Sequence, residues 1–335
     1  MTTRRLSISI PWDPRNRDAL LTRARAADEA GVDTIWVNEG FGHDAFSGLT
    51  LLAVETARAR LGTAIVNVYS RTAGALAQHY ATLDQLSEGR IVAGLGTSGT
   101  GVIERFHGMP YQPAVQRLRE TTELLRAFWR HERVTHHGPW YDLDRALVMG
   151  VDPVQADLPI HLATLHPASV RLTAEQADGW LPAWIPFDRL GAAIEELRGW
   201  STAAGRDANA VEVRAPGGVT VVEDLDRAEQ MRAQRRQQLA FFVARNGDFY
   251  YRQFLRHGLA DEAAAIRRAW AADGAEAGVA AVPDGLEDHF DFIGPLEACI
   301  ERLEAQSELG VDLHQVSVST EDQAEWAAAV RRLVG

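Results

Sequence analysis

Lysine is absent from this 335-residue chain, so all 34 basic residues other than histidine are arginines. No lysine Schiff base or lysine general base can operate, and an anionic ligand group must be met by arginine, hydroxyls or backbone N–H groups. Cysteine is nearly absent. The single Cys299 rules out an intrachain disulfide and, within a helical pattern over 294–309, reads as a small buried hydrophobe in a reducing compartment. No run approaches the roughly 18 apolar residues of a membrane span, and no charged stretch followed by an apolar one opens the chain. A cytoplasmic protein with no membrane partner is expected. Basic charge is in deficit: 46 acidic residues leave a net charge of −12, which argues against the clustered basic face that nucleic acid requires. No G-x-S-x-G segment occurs, so a serine-triad hydrolase lacks its local sign.

What the chain does contain is strand and helix in alternation, with 46% hydrophobic residues to bury. Strand-like runs at 6–10, 34–38, 62–67, 91–95, 159–163, 179–184, 211–222 and 314–318 are separated mostly by helical patterns at 17–30, 48–59, 72–86, 113–129, 167–177, 190–204 and 295–309. Eight such strands predict a parallel sheet closed into a (β/α)8 TIM barrel with insertions, a single domain over 1–335. Two segments exceed simple connections. Residues 131–158 carry Gly, Pro and aromatics with little period, and 223–291 hold helical stretches at 226–245, 249–257 and 261–272. Both are expected to act as lids or dimer contacts.

The chemistry-bearing residues cluster where strands end. Gly94-Leu95-Gly96-Thr97-Ser98-Gly99 spells G-x-G-x-x-G, but no helix follows at once and no acidic residue closes a second strand about 20 positions on. It reads instead as a glycine-rich loop at the end of the fourth strand. Glu39, Phe41, His43 and Asp44 follow the second strand, where barrel chemistry is usually placed, though Glu39 and Asp44 equally suit capping of the next helix. Ala163-Thr164-Leu165 close the fifth strand just before Pro167, a helix start suited to an anion. Trp180 and Trp184 could line an aromatic pocket or pack in the core. His131, His136 and His137, with Glu132, match no zinc spacing, so no metal site is expected.

These segments together resemble the luciferase-like superfamily of (β/α)8 barrels, in the branch that uses coenzyme F420, a deazaflavin, and includes methylenetetrahydromethanopterin reductase. The resemblance is carried by Trp36-Val37-Asn38-Glu39, by 60–65 through Ser70-Arg71-Thr72, by 81–90, by 94–99 with Glu104 and His107-Gly108, by 177–180, and by 282–284 with 293–295. It implies a non-proline cis peptide at Ala64-Ile65 behind the deazaflavin ring, with Asn67 near the ring edge. It further implies a cofactor phosphate near Gly96, Thr97, Ser98, Ala163, Thr164 and Leu165, and by position a tail contact at Arg214. Members that oxidise alcohols or sugars have a histidine directly after the acidic residue of the second strand, and Gly40 stands there. The resemblance therefore implies hydride transfer from the reduced deazaflavin to a C=C or C=N bond, with Glu39, His43 or Asp44 as proton donor. Trp12, Phe41, Trp180 and Trp184 are the expected substrate pocket. The alternative is an FMN-dependent monooxygenase supplied by a partner flavin reductase. A homodimer is implied in either case, and a non-catalytic cofactor binder is the reading from outside enzymology.

Overall fold

The computed structural model describes residues 3–335. In chain order its elements are β1 (Leu6–Ser9), α1 (Arg17–Ala30), β2 (Thr34–Val37), α2 (Ala45–Glu55), β3 (Arg60–Thr63), β4 (Val66–Asn67), α3 (Ala73–Leu86), β5 (Ile91–Gly96), α4 (Thr100–Arg105), α5 (Ala114–Trp129), β6 (His136–His137), β7 (Asp142–Leu143), β8 (Ile160–Ala163), α6 (Pro167–Gln176), β9 (Gly179–Trp180), α7 (Phe187–Ala203), β10 (Glu212–Val213), β11 (Val219–Val221), α8 (Leu225–Arg245), α9 (Asp248–Arg256), α10 (Ala260–Asp273), α11 (Ala275–Ala280), β12 (Phe292–Gly294), α12 (Leu296–Glu308), β13 (His314–Val318) and α13 (Gln323–Val334). Contacts group them into two compact units, one of residues 7–181 with 200–212, the other of 3–6, 182–199 and 213–335. Among the described residues no helix is long and apolar enough to cross a membrane.

The first unit is built on a parallel sheet in the order β1-β2-β3-β5-β8-β9, with β4 also pairing β5. Its strands are mostly buried, β2 and β5 along their whole length, as in parallel sheets covered by helices. Glycine is demanded where neighbours come close. A Cβ on Gly62 would lie 2.2 Å from the Trp36 ring, and one on Gly94 would lie 1.6 Å from the Thr63 carbonyl oxygen. Thr63 ties the same two strands together, since its hydroxyl donates to Gly94 O at 2.6 Å and accepts from Gly94 N at 3.0 Å. Among the helices, α3 starts where Thr72 accepts from Ala75 N and buries Ala73, Leu76, Ala77, Tyr80 and Ala81 on one stripe.

The second unit holds β11 between β12 and β13, all parallel, with Thr220 level with Ile293 and Ser317. The helices α8, α9 and α10 cover nearly the stretches that periodicity marked within 223–291, and they enclose Leu239, Val243, Phe254, Ile266 and Phe290. The structure differs from the sequence reading in several details, among them a strand at 179–180 where 179–184 was expected and unexpected helices α4, α11 and α13. The 62–67 run is interrupted at Ala64-Ile65, and the 211–222 run is divided by Pro216-Gly217-Gly218 into β10 and β11. Phe292–Gly294 forms a strand too short to give an alternation signal. The 131–158 excursion contains a small antiparallel hairpin, β6 with β7.

Candidate active site

Because the strands of the first unit are parallel, their carboxyl ends share one edge, and that edge gathers most of the singled-out residues. Asn67, Gly96 and Ala163 stand level in neighbouring strands. A Cβ on Gly96 would sit 3.1 Å from Ile65 Cδ1 and 3.3 Å from Ala163 Cβ, so these three residues make a shelf that a larger side chain would fill. The Ala64-Ile65 peptide is cis, as the resemblance implied. Ala64 N donates to Val37 O at 3.0 Å, and Glu39 N donates to Ile65 O at 3.3 Å, so both sides of this peptide are tied to the end of β2. Ala64, Ile65, Thr97, Ser98 and Ala163 are only half-buried, whereas the strand residues leading to them are mostly enclosed.

Polar groups ring the shelf in fixed orientations. Asn67 is buried, and its Oδ1 accepts from Tyr69 N at 2.9 Å and Ser70 N at 2.8 Å. Those two donors fix which end of the amide is oxygen, so Nδ2 is the atom facing His107 Nε2 at 3.3 Å. His107 Nε2 must then accept, which places the proton of the neutral ring on Nδ1. Tyr111 Oη reaches the Thr97 hydroxyl at 3.1 Å and donates to Ser98 O at 3.2 Å. Ser98 itself has φ +56.

Glu39 is held differently from a free acid. Its side chain is 7% exposed, and its oxygens accept from Arg71 Nη1 at 2.6 Å, Arg71 Nη2 at 3.0 Å and Ala45 N at 2.9 Å. Such a two-pronged arginine pair makes Glu39 an acceptor at the start of α2. Burial works against the Arg71 charge, but the hydrogen bond to Glu39 and the charges of Glu39 and Asp44 outweigh it and raise Arg71 above its ordinary value. Asp44 is the N-cap of α2 and accepts from Ser47 N at 2.9 Å. Partial burial would raise its carboxyl, yet the bonds from Ser47 and the Arg71 charge hold it below the usual range. His43 keeps an exposed ring, with Asp13 Oδ1 at 4.0 Å from Nε2 and the Trp12 ring 6.2 Å away.

The remaining expected residues are dispersed. Trp12 lies against Gly48 of α2, where a Cβ would be 3.0 Å from the indole, and Phe41 is 74% exposed. Trp180 is fully buried and its indole N–H donates to Thr164 O at 2.9 Å, so it packs behind the strand ends. Thr164 is buried and pairs with Thr173, and Leu165 is buried just ahead of α6, which begins at Pro167. Trp184 and Arg214 belong to the second unit. Trp184, at φ +57, packs among Phe242, Tyr250, Phe254 and Phe290; desolvation pushes the Arg214 guanidinium down to about 10. No grouping of metal-ligating side chains occurs among the described residues, and His136 instead approaches Glu120 at 3.3 Å. Arg71, His107 and Tyr111 were not among the expected site residues. Arg71 and His107 stand inside quoted motifs, whereas nothing local marks Tyr111.

Residues 5–313 match the family model described as luciferase-like monooxygenase. A Mycobacterium tuberculosis protein, provisionally assigned as a coenzyme F420-dependent oxidoreductase, is 30% identical over 95% of this chain and 94% of its own length. The solved coenzyme F420-dependent tetrahydromethanopterin reductase of Methanopyrus kandleri aligns with TM-score 0.79 and 21% identity, covering 99% of this chain and 97% of that one. An F420-dependent secondary alcohol dehydrogenase, solved with an F420-acetone adduct, aligns with TM-score 0.78 and 18% identity over 99% of this chain and 98% of its own. The structural likenesses show the fold class that the alternation predicted, a (β/α)8 barrel with insertions.

Proposed function

The chain belongs to the luciferase-like monooxygenase family, and from that premise we propose that it is a coenzyme F420-dependent oxidoreductase acting on a C=C or C=N bond of a small organic substrate. The observation that carries the cofactor reading is the shelf of Ile65, Gly96 and Ala163, with Asn67 level with Gly96 in the next strand and half-buried Thr97 and Ser98 directly after it. A flat, largely apolar ring fits a surface of small side chains beside one fixed amide. Hydroxyls and the N-terminus of α6 suit a phosphate in a chain without lysine. When bound, the reduced deazaflavin supplies the hydride.

The residues of the chain do the rest. Ala64 and Ile65 back the ring, Asn67 presents an amide whose direction its turn has fixed, and Arg71 locks Glu39 so that the β2–α2 turn keeps its place. Positioning of this kind is where a cofactor enzyme's protein contributes most. Glu39 and Asp44 are both committed as acceptors, which leaves His43 as the proton donor among the three expected acids. Asp13 Oδ1 lies 4.0 Å from its Nε2. Gly40 in place of a histidine favours the reductive direction over alcohol oxidation. Trp12 and Phe41 border the substrate, and the working form is a cytoplasmic homodimer of single-domain chains.

The test is an anaerobic assay with chemically reduced coenzyme F420 and a panel of activated alkenes and imines, reading the return of the oxidised deazaflavin's absorbance. Turnover that falls at least tenfold in His43→Gln with little change in KM supports the reading. Turnover only with reduced FMN and oxygen would replace it by the monooxygenase reading, and turnover of secondary alcohols alone would reverse the proposed direction.

A further inference from the structure

Arg117 of α5 is 6% exposed, yet it makes no ion pair among the described residues. Its Nε donates to Val68 O at 2.9 Å, and its Nη1 is buried without a hydrogen-bond partner. Aromatic rings take the place of a carboxylate, because the guanidinium lies 4.6 Å from the Tyr69 ring centre and 4.5 Å from that of Trp140. With ring faces and one carbonyl in contact, and the buried Glu120 carboxylate one turn along the helix beyond ion-pair distance, this cation keeps part of its field for whatever else is near.

What is near is the glycine-rich loop. Tyr69 stacks on Tyr111 with ring centres 5.8 Å apart and an interplanar angle of 11°, and its hydroxyl donates to Tyr111 O. Tyr111 in turn carries the bonds to the Thr97 hydroxyl and Ser98 carbonyl. Val68 and Tyr69 also belong to the turn whose N–H groups orient Asn67. One arginine thus anchors both the turn that aims the Asn67 amide and the aromatic plate that braces Thr97-Ser98.

We propose that Arg117 is a positioning residue for the phosphate-bearing tail of the cofactor, supplying a fixed buried positive charge and bracing the Thr97-Ser98 loop through the Tyr69–Tyr111 stack. This rests on the deazaflavin reading and adds a specificity element to it: discrimination between a tailed cofactor and its bare chromophore originates partly behind the site.

The experiment is a pair of fluorescence titrations of the full-length protein, one with coenzyme F420 and one with its chromophore lacking the phosphate and everything beyond it. They are run on the wild type, Arg117→Met, Arg117→Lys and Tyr111→Phe. The wild type should bind the tailed cofactor more tightly than the chromophore. Arg117→Met should weaken coenzyme F420 on the order of tenfold beyond whatever loss the chromophore suffers through the Asn67 turn, one unit charge's share in a buried setting. Arg117→Lys should recover part of that loss, and Tyr111→Phe, which keeps the stack and loses the two hydroxyl bonds, should weaken the tailed cofactor alone. Equal weakening of both ligands, or unchanged binding of coenzyme F420, would overturn the proposal while the deazaflavin reading survived. A wild type that bound neither ligand would remove the reading and this proposal together.

Discussion

Arg71→Met is the substitution whose consequences are easiest to work out from the structure. It removes both charge-assisted hydrogen bonds from a Glu39 side chain that is 7% exposed and leaves it, among the described residues, the Ala45 N donor alone. Breaking a buried pair from one side costs about 3–5 kcal/mol, and because Arg71 keeps 19% exposure the lower end applies, about 3 kcal/mol. Glu39→Gln keeps an acceptor for Arg71 and should cost about 1–2 kcal/mol. In the double variant no charge is stranded, so the two losses should not add, and a coupling of about 2 kcal/mol is expected. Urea denaturation of all four proteins, followed by tryptophan fluorescence, measures it. The same variants separate two roles for Glu39: as an anchor it tolerates Gln with turnover largely kept, whereas a proton-donating Glu39 would lose turnover entirely. A coupling below about 0.5 kcal/mol would mean that water, and not Arg71, satisfies Glu39, and the argument for a locked β2–α2 turn would fail.

Gly94→Ala should be far more damaging than its size suggests, because the new Cβ would lie 1.6 Å from the Thr63 carbonyl; Gly101→Ala, with nothing within 4 Å, is the matched control. A loss of about 3 kcal/mol or more against little change in the control, by the same denaturation assay, is expected. His314 is buried and bonded to Gln306 and Ser307, and desolvation followed by the Arg4 charge pushes its pKa down to about 4. Since the unfolded chain takes this proton near pH 6.5 and the native protein only near 4, stability is intact above about 6.5 and falls by up to ~3 kcal/mol as pH drops through that window. His314→Gln should flatten the fall, and an unchanged pH profile would refute the assignment. Cys299 is buried, with burial pushing its thiol up to about 12, so a thiol reagent should label it only at the rate of unfolding. Rapid labelling of the native protein would contradict that.

The alternation of apolar strands and amphipathic helices made most of the barrel legible, because a 3.6-residue period and a continuous apolar run are both local signals. The signal failed where the structure departs from local regularity. The peptide at Ala64-Ile65 interrupts an otherwise unbroken apolar run, and the resemblance, not the periodicity, located it. Phe292–Gly294 is three residues long and therefore below any alternation test. At the site, the shelf residues Ile65, Gly96 and Ala163 could be placed from motif order, since each stands at a strand end. The roles of acids could not. Glu39 and Asp44 look equally able to donate a proton in sequence, and only the positions of Arg71, Ala45 N and Ser47 N reveal that both are occupied as acceptors. Arg117 was invisible for the same reason: its meaning comes from Tyr69, Trp140 and Tyr111, which lie 23 to 48 positions or a short loop away in sequence.

The central claim is that this shelf receives a deazaflavin, and a parallel titration of the purified protein with coenzyme F420 and with FMN, read by intrinsic tryptophan fluorescence, tests it most directly. Saturable binding of coenzyme F420 with FMN at least a hundredfold weaker is the predicted result. Preferential binding of FMN would contradict it and make oxygen-dependent chemistry with a reductase partner the better account.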